Sequence, residues 1–160
     1  GGDKEQVGRW MAELAGGGRY DIGPENLAAV QELFWADWVD DDQTRDTIRS
    51  IYQEHHYLSD PHTAVAWRAG LNYRRQTGDN TRQIIVSTAS PFKFNASVLP
   101  AVRAGNDRPA GDEFAMLEQL AKITGWSIPP ALAALKTAVI RHKTNCTTTE
   151  MPAMVKQLLS

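Results

Sequence analysis

Two short stretches of this chain gather compact polar groups at places where a folded protein holds ligands. The first is Tyr57–Trp67, YLSDPHTAVAW, which sets a carboxylate, an imidazole and a hydroxyl side by side at Asp60, His62 and Thr63. Asp60 is a good N-cap and Pro61 a favoured first helical residue, so the spacing predicts that all three side chains cluster in the opening turn of a helix. The second is Arg82–Phe94, RQIIVSTASPFKF, where the apolar run Ile84-Ile85-Val86 leads into Ser87-Thr88-Ala89. A strand ending in small hydroxylated residues presents them on the side where α/β sheets bind ligands. A hydroxyl there is nearly neutral and can donate one hydrogen bond to a ligand atom.

Other residues suggest chemistry and read better as structure. Gly16-Gly17-Gly18 follows a helical pattern instead of a strand, so it reads as a helix end and not as a phosphate cradle. Asp40-Asp41-Asp42 resembles a metal cluster only in composition. Asp40 with Gln43 forms a D-x-x-Q capping box, and consecutive helical residues point in different directions. His55 and His56 are adjacent, whereas helical metal ligands usually sit four apart. Lys93, within the second stretch, reads as a solvated charge.

The elements that must position these groups are mostly helical. Apolar residues at Val7, Trp10, Met11 and Leu14 predict a helix over Lys4–Ala15. Pro24 opens another, with Leu27, Val30, Gln31 and Phe34 on one stripe. A third carries Ile48, Ile51, Tyr52 and His55. The helix beginning at Asp60 should run to about Gln76, with Ala64, Ala66, Ala69 and Gly70 leaving its surface open to close packing. Ser90-Pro91 starts a helix through Leu99, closed by Pro100. Further helices are expected over Glu113–Thr124, from Pro129-Pro130 to about Leu135, and over Met151–Leu159. Ile84–Val86 is a continuous β-branched run, read as an interior strand buried on both faces, and Ala138–Asn145 is a second strand candidate. The fold expected is therefore mostly α with one or two strands, with a helical segment 1–78 leading into a strand and helices over 82–160. One central strand without neighbours implies partners from other chain, either a missing N-terminal half or another copy.

Composition bounds the rest. At 160 residues, with 42% hydrophobic and 22% charged residues, the chain can bury one domain's core. A net charge of −2 gives no footprint for nucleic acid, and no apolar run is long enough for a membrane span. The single cysteine, Cys146, allows no internal disulfide and fits a reducing, cytoplasmic setting. The first ten residues, GGDKEQVGRW, show no signal-peptide pattern and begin as a cut from a longer chain would.

YLSDPHTAVAW resembles the DPHTA segment of threonine synthases, and IIVSTASPFKFNASV resembles the STA-containing segment that follows it in the same family. IPPALAALK, Ile128–Lys136, is similar to that family's LPxxxxxLK-like end. Order and spacing agree, and the likeness covers most of the chain. The resemblance implies the C-terminal part of a fold-type II α/β enzyme that uses pyridoxal 5'-phosphate (PLP) to convert O-phosphohomoserine and water to threonine and phosphate. It implies a Schiff-base lysine in the N-terminal half, so no catalytic residue is assigned in this chain. It implies that Thr88 meets the pyridine nitrogen, and that the Asp60–Thr63 turn, with His62, lies near the cofactor, Asp60 serving as the cap that fixes it. Ser90 stands where many members have His. Two further readings remain: a related PLP phospho-lyase, and a non-catalytic helical interaction module. The fragment by itself is expected to be inactive and to self-associate.

Overall fold

The computed structural model describes residues 2–103, 111–141 and 143–159. The chain divides into two compact units, Gly1–Ala89 and Ser90–Ser160. The first holds α1 (Lys4–Gly17), α2 (Gly23–Gln31), α3 (Asp41–His55) and α4 (Pro61–Thr77), followed by an extended segment over 82–88 that is neither helix nor strand and ends in a bend at Ala89. The second holds a 3-10 turn at Pro91–Phe94, α5 (Asn95–Val102), α6 (Glu113–Thr124), α7 (Pro130–Ala134) and α8 (Met151–Leu159), with a second 3-10 turn at Leu135–Thr137.

Helix ends follow from capping chemistry. Asp3, Asp40, Asp60 and Asp112 sit at N-caps in extended backbone and accept from N–H groups of the first turn. The box expected at Asp40 is present: Gln43 N donates to Asp40 Oδ1 at 2.8 Å and Asp40 N donates to Gln43 Oε1 at 3.3 Å. Gly18, Gly78 and Gly125 close α1, α4 and α6 in the left-handed region, where a Cβ would be strained. His56 takes that same role after α3, at φ 52°, so this histidine is part of a helix stop.

In the first unit α3 packs on α4. Thr44, Thr47, Ile48 and Ile51 repeat at helical spacing and are buried, as are Leu58 and Ala64. The two threonines tolerate burial because each hydroxyl donates to the carbonyl four residues back, Asp40 O and Gln43 O, at 2.7 Å. Asp37 and Trp35 hold the loop before α3 against α4, through Asn72 at 2.7 Å and an edge-on contact with Tyr73. In the second unit α5 packs on α6, with Val98, Leu99, Leu117 and Leu120 buried. Asn95 pins the two helix starts together by donating to Glu113 O at 3.2 Å.

The expectation of one or two strands is overturned: among the described residues there is no strand. Ala138–Asn145 is irregular over its described positions, and His142 lies outside them. Ile84–Val86 is extended but not buried on two faces, since Ile84 is 88% and Val86 69% exposed. The physical reason is that its N–H groups find no ladder partner among the described residues, so the run has strand-like alternation without a sheet. It lies along α4 instead. Pro100 also does not close its helix. It sits inside α5, which continues to Val102 at the loss of one backbone hydrogen bond. Phe34, expected on the α2 stripe, lies beyond the end of that helix.

Candidate functional site

Asp60 organises the start of α4. Its side chain is fully buried, and both carboxylate oxygens are engaged. Oδ1 accepts from the backbone N–H of His62 at 3.0 Å and of Thr63 at 3.4 Å, and lies 3.0 Å from His62 Nδ1. Oδ2 accepts from the Thr63 hydroxyl. Burial pushes this carboxyl up, but the bonds donated by the Thr63 hydroxyl, the His62 ring and both backbone amides outweigh it. The carboxyl therefore stays below its ordinary range and is ionised at neutral pH. Asp60, His62 and Thr63 are thus brought together, with the His62 ring largely exposed at the rim.

The extended segment completes the arrangement by running antiparallel to α4. Arg74 Nη2 donates to Thr81 O at 2.9 Å, and Gln83 Nε2 donates to Gly70 O at 3.1 Å. Thr63 Oγ1 lies 3.1 Å from Ser87 Oγ. Seven helical residues span about 10 Å and four extended ones about 13 Å, so the two runs stay in step. Gly70 is what permits the approach, because a Cβ there would meet Gln83 Oε1 at 2.8 Å. Gln83, Ile85 and Ser87 approach the helix, whereas Ile84, Val86 and Thr88 are exposed and make no hydrogen bond to it among the described residues.

The hydroxyl order follows from proton counting. The Asp60 carboxylate only accepts, so the single Thr63 hydroxyl proton goes to it. Ser87 must then donate to Thr63, leaving Ser87 Oγ to accept from Tyr57 OH at 3.3 Å. Tyr57 and Ser87 were not among the candidate site residues. Residue parity was the available signal, since Ser87 shares the side of Gln83 and Ile85. Thr88 does not join this cluster. It is exposed and its hydroxyl makes no hydrogen bond among the described residues.

Elsewhere the described residues offer little chemistry. All six lysines are exposed. Lys136 pairs with Glu118 at 2.7 Å, which raises its pKa, the opposite of what activates a lysine nucleophile. No group of three or more potential metal ligands occurs among the described residues. No helix among them is long and apolar enough to cross a membrane. A groove of about 360 Å³ between α3 and α4 is lined by His55, Trp67 and Arg68 with two carboxylates, Asp46 and Glu54.

Residues 63–139 match the family described as threonine synthase, C-terminal. Over this stretch the chain is similar to the C-terminal part of threonine synthases. It is 38% identical over 104 residues to threonine synthase of Schizosaccharomyces pombe, covering 64% of this chain and 20% of that protein. It is 32% identical over 130 residues to the Escherichia coli enzyme, covering 75% of this chain and 29% of that one. A crystal structure of PLP-bound threonine synthase from Brucella melitensis superposes with a TM-score of 0.53 at 27% identity, over 78% of this chain and 25% of that chain. The chain thus spans between a fifth and a third of the length of these threonine synthases.

Proposed function

We propose that this chain is the part of a PLP-dependent threonine synthase that closes over the pyridine side of the cofactor, in an enzyme converting O-phosphohomoserine and water to threonine and phosphate. The family match carries the reaction. Thr88 carries the role of the chain, because it offers an exposed, uncommitted hydroxyl at the end of an anchored segment. Bound PLP supplies an electron sink whose strength depends on the group facing its ring nitrogen. A hydroxyl suits an unprotonated nitrogen, to which it donates one hydrogen bond. Asp60 does not compete for that position, since both its oxygens are used within the α4 start. Thr63 and Asp60 hold the turn, and His62 stands at its rim with the exposure needed to approach a ligand edge. The lysine that bears the cofactor and the groups that bind its phosphate belong to other parts of the enzyme.

The test is made in the whole PLP-loaded protein. Thr88→Ala should leave the fold intact and weaken cofactor binding by about 0.5–1.5 kcal/mol, the worth of one hydrogen bond. Thr88→Asp should shift the cofactor absorbance by changing the protonation of the ring nitrogen. Wild-type affinity, spectrum and turnover in both variants would reduce Thr88 to a surface residue.

A further inference from the structure

We infer that Ser87 is a positioning residue: by docking on Thr63 it turns Thr88 away from α4 and fixes the direction in which its hydroxyl is presented. This rests on the role of Thr88 proposed above. Two side-chain bonds tie the extended segment to α4, at Gln83 and Ser87, and a third holds Thr81 just before it. Beyond Gln83, Ser87 is the one residue of the segment with a hydrogen bond to the helix among the described residues. Val86, Ser87 and Thr88 are all exposed, and what sets Ser87 apart is its hydrogen bond to Thr63. Neighbouring side chains of an extended chain point to opposite sides, so fixing Ser87 inward fixes Thr88 outward.

The docking is directional because it ends on a buried charge. Asp60 takes the Thr63 proton, Thr63 therefore accepts from Ser87, and Ser87 accepts from Tyr57. Each donor polarises the next toward the carboxylate, which strengthens the series. The Thr63 oxygen is consequently a better acceptor than an isolated hydroxyl. No covalent change is involved: the helix cap that starts α4 also sets the geometry of a residue twenty-eight positions after Asp60.

Two measurements decide this separately from the role of Thr88. In the 160-residue chain, backbone order parameters and the Thr88 Hα–Hβ coupling are compared for wild type, Ser87→Ala and Ser87→Thr. Ser87→Ala should loosen residues 86–89 and average the coupling while leaving 83–85 unchanged, and Ser87→Thr, which keeps the hydroxyl, should restore both. Unchanged order and coupling in Ser87→Ala overturn the inference. In the whole PLP-loaded protein, Ser87→Ala should weaken cofactor binding roughly two- to tenfold and shift the absorbance as Thr88→Ala does, with no further loss in the double variant. A spectrum that responds to Thr88→Ala and not to Ser87→Ala overturns the positioning claim and leaves the Thr88 reading standing. If Thr88→Ala itself changes nothing, the Thr88 reading falls, and the order parameters alone judge Ser87.

Discussion

At Asp60 one carboxylate caps a helix, orients an imidazole rim and terminates a run of hydroxyls. Its folded-state pKa lies below the ordinary 3.8, so its ionised form is favoured by folding. That contribution is fully present above the unfolded value and is lost as pH falls through the folded one. Acid titration of stability should therefore show an Asp60-dependent decline beginning below about pH 4. Asp60→Asn should flatten that part of the curve while keeping most of the cap, because Asn also accepts from first-turn amides. Asp60→Ala should cost about 1–3 kcal/mol at neutral pH, as the cap goes and Thr63 loses its acceptor. Chemical denaturation across pH 2.5–7 would check both, and a pH profile identical in wild type and Asp60→Asn would contradict the assigned ionisation. Much of this site was legible in DPHT, because an N-cap followed by proline fixes backbone and side chains within one turn. Ser87 and Tyr57 were not, because their meeting with Thr63 depends on how distant residues pack.

The segment 82–88 shows why the strands were misread. A β-branched run reports a preference for extended backbone, and that preference is met here: the run is extended and alternates. Burial on two faces depends on neighbours that this sequence does not specify. The helices fared better because caps, glycine stops and apolar spacing are all local, as at Asp40–Gln43 and Gly125. Pro100 and Phe34 were exceptions: packing of α5 on α6 sustains that helix past Pro100, and α2 ends before Phe34. Amides of residues 84–88 should exchange rapidly in dilute monomer, having no partners among the described residues, and should become protected as concentration rises if copies pair there. Strong protection in a verified monomer would mean that the segment has a partner after all. Gly70→Ala gives a second test of this element. The added Cβ meets the flexible end of Gln83, so α4 should gain up to about 1 kcal/mol in helix propensity while the Gln83–Gly70 bond is lost. Thermal unfolding should then show a neutral or slightly raised midpoint, with weaker proton contacts between Ile85 and residue 70.

At the scale of the molecule, the chain resembles threonine synthases and spans only part of their length. Incubated alone with PLP and then borohydride, it should acquire no stoichiometric label on a single lysine, because all six lysines are exposed and Lys136 is held protonated by Glu118. One lysine modified in full, located by mass spectrometry, would show that the chain carries its own cofactor anchor. The extended segment has another consequence. A chain with free backbone donors and acceptors in extended form is the shape a serine protease draws into its cleft. Arg82 is exposed at the beginning of this stretch, whereas Arg74 and Arg75 lie within a helix. Trypsin should therefore nick after Arg82 early. Anything that covers this edge must compete for the same amides and carbonyls, so the rate of that cut is a direct gauge of whether the edge is occupied.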